Sequence, residues 1–232
     1  MHIPALIFSR MDSSRLPGKA LKPLAGAPVL AWVLHRLSRS HELDGLVVCT
    51  SKRSLDDPIC EVAEKMKTGL FRGPTHDVLG RALAAAEYLN ADAVVRISGD
   101  SPFMDAGLVD TVVRRFRDTA PDIATNVHPR SYPAGMSVEV IATATLQKIN
   151  QAVSEAADRE HVTTYLYRNA DDFRIENVAA PESLRDVDLA LDTPEDFAFQ
   201  EWLAGEVADD ADLDTIIKAA RHYQTRLKEA AS

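Results

Sequence analysis

The chain is poor in several residue patterns, and each absence removes a class of protein. Cysteine occurs only at Cys49 and Cys60, with no Cys-x-x-Cys spacing, so there is no disulfide framework and a reducing, cytoplasmic setting is expected. No run approaches the roughly 20 apolar residues of a membrane helix. The first residues carry neither a basic segment nor a long apolar stretch before small residues, so no signal peptide is expected either. Basic residues are outnumbered, 26 Lys and Arg against 35 Asp and Glu for a net charge of −9, which argues against a broad nucleic-acid-binding face. There is no Walker loop, no Gly-x-Gly-x-x-Gly dinucleotide turn and no His-x-x-x-His pair for zinc.

Against that acidic background one basic stretch stands out. Ile3-Pro4-Ala5-Leu6-Ile7-Phe8 is an apolar run of the length of a buried strand. It leads into Arg10-Met11-Asp12-Ser13-Ser14-Arg15-Leu16-Pro17-Gly18-Lys19. Arg10, Arg15 and Lys19 bring positive charge, Ser13 and Ser14 bring donors, and Gly18 lets backbone approach a ligand closely. Read alone, the stretch is either a polyanion cradle or a solvated basic turn.

The rest of the chain alternates. Val29, Leu30, Val33, Leu34 and Leu37 recur at helical spacing after Pro28. Leu46–Cys49 reads as a second strand, Asp56-Asp57-Pro58 as the cap of a helix over 59–66, and Leu70-Phe71 as a short third strand. Asp77 caps a helix over 78–88, Ala93–Ile97 is the clearest strand, and a helix over 106–116 precedes a strand over 122–126. Helices through 146–156 and from 158 follow, then an alternating edge strand over 173–178. A strand over 189–191 should run into a helix with Pro194 in its first turn. Such alternation predicts a parallel sheet covered on both faces, with ligand at the carboxyl ends of the strands. Asp100, in the turn Ser98-Gly99-Asp100-Ser101-Pro102, is placed to project over that edge as a turn former or as a Mg²⁺ ligand. Asp192, just before Thr193-Pro194, reads by itself as a helix cap. At 232 residues, 46% hydrophobic and 26% charged, the chain suits a single domain spanning 1–232 with a C-terminal helical extension from about 203.

The order of these motifs carries a resemblance. Arg-x-x-Ser-Ser-Arg-Leu-Pro-Gly-Lys after a first strand resembles the signature of the CTP-dependent sugar-acid cytidylyltransferases. The spore-coat-polysaccharide type is nearest, with 3-deoxy-octulosonate and acylneuraminate cytidylyltransferases as relatives. The resemblance implies an α/β, three-layer α/β/α Rossmann-like nucleotide-diphospho-sugar transferase (GT-A-like) fold with a mainly parallel sheet. It implies that Arg15 and Lys19 act on the triphosphate of CTP, assisted by Arg10, Ser13 and Ser14. Arg72-Gly73 followed by Asp77-Val78-Leu79-Gly80-Arg81 corresponds to a region that helps recognise the nucleotide, which assigns Arg72 and Asp77, with Gly99, to nucleotide binding; Arg81 is read as either a surface helix charge or a contact. Gly99-Asp100-Ser101-Pro102 and Leu191-Asp192-Thr193-Pro194-Glu195-Asp196 correspond to the two metal-ligand motifs, so Asp100 and Asp192 would hold Mg²⁺. Glu139, and Arg159 and His161 of Arg-Glu-His-Val-Thr, would face a small anionic acceptor. The product would be a CMP-activated acidic sugar, with pyrophosphate released, for surface polysaccharide, and the enzyme a homodimer.

The chain also departs from that pattern. Tyr-Pro-Asp-Gly-Leu-Asp-Val-Glu-Val of the relatives has become Tyr132 to Val140 with Ala134 and Ser137 at the acidic positions. Phe8 stands for Gln, Gly80 for a frequent Asp, and Asp188 for Arg. These changes keep open a phosphorylated or phosphonate acceptor, and a degenerate non-catalytic nucleotide-binding subunit. A glycosyltransferase shares the fold but would want Asp-x-Asp at the end of a central strand, whereas Asp186-Val187-Asp188 precedes the last one.

Overall fold

The structure is a computed structural model and describes residues 1–230. The first strand, β1 (Ala5–Phe8), is apolar throughout because it is central and covered on both sides. A two-residue ribbon, β2 (Pro23–Leu24) with β3 (Ala27–Pro28), turns the chain into α1 (Val29–Leu37). Then follow β4 (Leu46–Ser51), α2 (Asp57–Lys65), β5 (Gly69–Gly73), α3 (Val78–Tyr88), β6 (Ala93–Ser98) and α4 (Ala106–Thr119). The second half adds β7 (Ile123–Thr125), β8 (Glu139–Ala142), α5 (Thr143–Ala152), α6 (Ala156–Glu160), α7 (Thr164–Arg168), β9 (Ile175–Asn177), α8 (Pro194–Glu206) and α9 (Leu213–Ala230).

The sheet order is β5-β4-β1-β6-β8-β7-β9. Among the described residues β8 alone runs against the other strands, pairing antiparallel with both β6 and β7. Alternation along each strand sorts side chains into two layers. Ala5, Ile7, Val48, Val95 and Ile97 meet α1, α2, α4, α8 and α9 on one face, while Leu6, Val47, Cys49 and Val94 meet α3, α5 and α7 on the other. Each fully buried Leu or Ile there contributes about 1.5–3 kcal/mol relative to exposure. This is the expected three-layer α/β architecture, with β9 as the expected edge strand. Among the described residues no helix is long and apolar enough to cross a membrane.

Two local readings change. Asp56 is not a side-chain cap for α2: no capping bond forms, and its carboxylate turns inward, fully buried. Residues 189–191 are not a strand. They lie against the turn before β8, where an isolated bridge joins Ala134 to Asp188 and the Leu189 amide donates to the Ala134 carbonyl at 3.0 Å. Gly135, at φ +82, sits so close that a Cβ would lie 2.2 Å from the Leu189 oxygen. The helix after this segment starts as expected, with Pro194 in the first turn and a Thr193–Asp196 capping box. The C-terminal helix packs on α8 through Ile216, Ile217 and Ala220 and through Tyr223 against Phe199 and Trp202. Residues 231–232 of the expected extension lie outside the described residues.

Candidate active site

Where β1 ends, the chain has no helix to enter and folds back on itself. Gly18, at φ 69, donates its amide to the Met11 carbonyl at 3.0 Å and closes residues 11–18 into a loop. The buried Asp56 anchors that loop from below. Its carboxylate accepts from the Met11 amide at 2.8 Å, from the Ser51 hydroxyl, and from Arg53 at 3.2 Å. Arg53 also pairs with Asp12 at 2.7 Å, and this bond, with Arg10 nearby, holds the Asp12 carboxyl below the usual carboxylate range despite partial burial. The loop is thus held through the Met11 amide and Asp12, and Arg10, Ser13, Ser14, Arg15 and Lys19 line a cavity of about 520 Å³.

The opposite wall comes from β6. Gly99 donates its amide to the Phe8 carbonyl at 2.8 Å, and a Cβ on it would lie 2.8 Å from the Ser9 Cβ, so the exits of β1 and β6 touch. Asp100 follows, with one oxygen accepting from the Ser98 hydroxyl at 2.5 Å. Asp192 arrives from the far end of the chain. The two carboxylates converge on the Lys19 ammonium, 2.5 Å from Asp100 and 3.0 Å from Asp192, and the Leu191 carbonyl accepts a third bond at 2.6 Å. Arg15, 65% exposed, binds the other oxygen of Asp192 at 2.8 Å. Burial pulls the Lys19 ammonium down, but the two carboxylates outweigh it and hold it above the usual lysine range. Among the described residues no cluster of three or more His, Cys, Asp or Glu forms. Two convergent carboxylates are nonetheless the protein share that Mg²⁺ commonly takes when substrate phosphates and water complete its shell, so the donor set fits that ion.

The family model for cytidylyltransferases matches residues 4–229. The chain belongs to the cytidylyltransferase family. A cytidylyltransferase of Leptospira borgpetersenii superposes with a TM-score of 0.93 at 28% identity, over 97% of this chain and 96% of that one. The spore coat polysaccharide biosynthesis protein SpsF of Bacillus subtilis is 32% identical over 83% of this chain and 82% of its own length. A 3-deoxy-manno-octulosonate cytidylyltransferase of Mesorhizobium japonicum is 34% identical over 52% of this chain and 50% of its own length. The chain is therefore a nucleotidyltransferase by family.

In this cytidylyltransferase not every residue expected at the site reaches the cavity. His161 lines it, and Arg10 does so while pairing with Glu160 at 2.8 Å. Arg72 does not: its guanidinium bonds the Ser51 and Arg53 carbonyls and pairs with Asp57, tying the end of β4 to α2. Asp77 accepts from the Gly80 amide as the cap of α3 and pairs with Arg159 at 2.7 Å, and neither lines the cavity. A Cβ at Gly80 would lie 2.3 Å from Asp77, which makes room for that cap a reason for glycine there. Glu139 is 2% exposed, is engaged by Arg96 and by the Tyr167 hydroxyl at 2.7 Å, and does not line the cavity.

The residue the sequence reading undervalued is Arg81. It is 1% exposed, lines the cavity and, among the described residues, makes one side-chain hydrogen bond, to the Pro74 carbonyl at 3.0 Å, with its Nε unpartnered. Burial pushes its guanidinium below the usual arginine range, and the Phe8 ring lies 5.7 Å away. Gly73 is what admits its stem, since a Cβ there would lie 2.7 Å from the Arg81 Cγ. The signal was available: Val78, Arg81, Ala82 and Ala85 share the i, i+3, i+4, i+7 stripe that faces the sheet.

Proposed function

We propose that this chain transfers the cytidylyl group of CTP to a hydroxyl of an acidic sugar, a ulosonic or nonulosonic acid, for surface glycan synthesis. The observation that carries the reading is one cavity lined by three cations, Arg10, Arg15 and Lys19, and by two carboxylates 92 positions apart in the chain, Asp100 and Asp192, that meet on Lys19. A triphosphate needs positive charge on one side and donors along its length, which Arg10, Arg15, Lys19, Ser13, Ser14 and the loop amides supply. Arg81, a buried guanidinium with an unused N–H at the cavity wall, is suited to the nucleoside end.

In the reaction, the acceptor oxygen forms a bond to the α-phosphorus while the bond from that phosphorus to the α–β bridging oxygen breaks in line. The electron pair leaves with pyrophosphate, and the hydroxyl proton passes to solvent. Arg15 and Lys19 stabilise the charge that grows on the leaving group, and Lys19, held protonated by its carboxylate partners, is a full cation at neutral pH. Asp100 and Asp192 would hold Mg²⁺, which when bound would supply further neutralisation of phosphate charge. The acidic acceptor is supported by the octulosonate relative and by the link of SpsF to spore coat polysaccharide.

The test is pyrophosphate release with CTP and Mg²⁺ against a panel of sugar acids and phosphorylated alcohols, with ATP, GTP and UTP as controls. Release with CTP and a sugar acid is expected. Tight CTP binding with no release across the panel would replace this reading with a non-catalytic nucleotide-binding subunit.

A further inference from the structure

The loop over 11–18 is braced by three residues that do not line the cavity, Arg53, Asp56 and Arg72. Met11 has both of its backbone groups fixed: its carbonyl accepts from the Gly18 amide at 3.0 Å, and its amide donates to Asp56 at 2.8 Å. Asp56 is fully buried, and the burial of its charge is offset by three donors, the Met11 amide, the Ser51 hydroxyl and Arg53. Arg53 forks, with one terminal nitrogen 2.7 Å from Asp12 in the loop and the other 3.2 Å from Asp56 beneath it. Arg72 holds the backbone that carries these donors, bonding the Ser51 and Arg53 carbonyls at 2.8 Å each, and is itself tied to Asp57 at 2.7 Å.

The brace takes hold at positions 11 and 12 and leaves the next three residues open. Among the described residues the amides of Ser13, Ser14 and Arg15 meet no acceptor in the chain, and all three residues line the cavity. Successive unspent amides in a turn make an anion-binding concavity. A loop free to move would have to be ordered by its ligand, and the entropy lost in that ordering would weaken binding. The nucleoside end, given above to Arg81, shares none of these bonds, so the two halves of a nucleotide report separately on the brace.

We infer that Asp56 and Arg53, with Arg72 behind them, are positioning residues that set the affinity for the β- and γ-phosphates without touching the nucleotide. The inference rests on the cytidylyl-transfer reading and adds the source of its polyphosphate affinity. It also accounts for Arg72, which stands in a nucleotide motif while its guanidinium is spent on carbonyls outside the cavity.

The test is calorimetric titration of CTP, CMP and inorganic tripolyphosphate, with Mg²⁺ and no acceptor, into the full chain and into Asp56→Asn, Arg53→Gln and Arg53→Lys. The wild type should bind CTP more tightly than CMP. In Asp56→Asn and Arg53→Gln, Kd for CTP and for tripolyphosphate should rise about tenfold or more, the scale of one hydrogen bond to a charged group, with Kd for CMP unchanged. Arg53→Lys keeps the charge beside Asp12 but cannot fork between two carboxylates, so it should recover only part of the loss. Equal losses for CMP and CTP would make the brace purely structural and overturn the inference. Wild-type CTP affinity in folded Asp56→Asn would overturn it too, as would full recovery in Arg53→Lys, which would leave Arg53 only the task of neutralising Asp12. If Asp56→Asn does not fold, the two Arg53 variants decide. A wild type that binds CTP no more tightly than CMP defeats the triphosphate reading of the loop, and the inference with it.

Discussion

On the β1 side of the carboxyl edge, charges are paired at the rim of a cavity; on the β8 side they are paired underneath the surface. Arg15 with Asp192, and Arg10 with Glu160, join side chains that are 26–65% exposed. Exposed pairs of this kind contribute about 0–1 kcal/mol each, so a triphosphate can exchange for the carboxylates at little cost. Glu139, by contrast, is almost without exposure and is bound by Arg96 and by Tyr167, whose phenol burial and the adjacent Glu139 push up. Removing one partner of such a pair costs about 3–5 kcal/mol. The same chemical groups thus do opposite work. Pairs near water are exchangeable and suit ligand binding, while the buried pair ties the end of β6 to the start of β8.

The substitution with the largest expected effect cuts at the boundary. Asp192→Asn should lower turnover with CTP by about 100-fold or more and reduce stability to denaturant by less than Glu139→Gln does, because Lys19 keeps Asp100 and the Leu191 carbonyl as partners. A rate near wild type would remove Asp192 from the reaction, and a large loss of stability would erase the distinction between the two sides. Glu139→Gln should do the reverse in kind, lowering unfolding free energy by about 3 kcal/mol with KM for CTP unchanged. If it melts like Asp192→Asn, the buried pair is not the fixed element described here.

Arg81→Met sharpens the contrast within the cavity, because it removes a buried charge that has no carboxylate partner among the described residues. KM for CTP should rise about tenfold, while the ligand-free protein melts at the same temperature or higher, since a desolvated unpaired charge is costly to keep. A lower melting temperature would mean that Arg81 is structural. The smallest effect at neutral pH concerns Cys49, beneath Arg81, whose thiol burial pushes up to about 12. Its folded value lies above the unfolded value of 9.0, so the unfolded chain loses the proton first and stability falls as pH rises through that window. Relative to Cys49→Ala, the wild type should lose about 1.4 kcal/mol per pH unit between roughly pH 9 and 12, and the two should show the same pH dependence near pH 7.

Helices, caps and turns were legible because they depend on neighbours in the chain. The apolar spacing of Val78–Tyr88 and the Asp77 cap define α3 before any fold is known, and Pro194 with Thr193 and Asp196 marks the start of α8. The apolar Ala5–Phe8 run, the alternation of elements and the basic loop likewise announce a parallel sheet with a polyanion cradle after its first strand. Other assignments exceeded what spacing can decide. Asp56 has the sequence context of a cap, but the Met11 amide and Ser51, brought to it by β1 and β4, offered its carboxylate a buried set of donors. Residues 189–191 are apolar enough for a strand, but the turn at Gly135 meets their backbone first.

The sequence by itself determined the layer architecture, the basic loop, and the two aspartates placed at strand and helix ends, because periodicity and turn chemistry act over a few residues. Only the tertiary structure decided which charges meet. Arg72 and Arg81 are nine positions apart in one motif, yet the first is spent on carbonyls of the β4 end and the second reaches the cavity through the space left by Gly73. Lys19 finds Asp192 across 173 positions of chain. A guanidinium or ammonium takes whatever acceptor folding brings within about 3 Å, and that acceptor is set by the packing of distant segments rather than by the residues beside it.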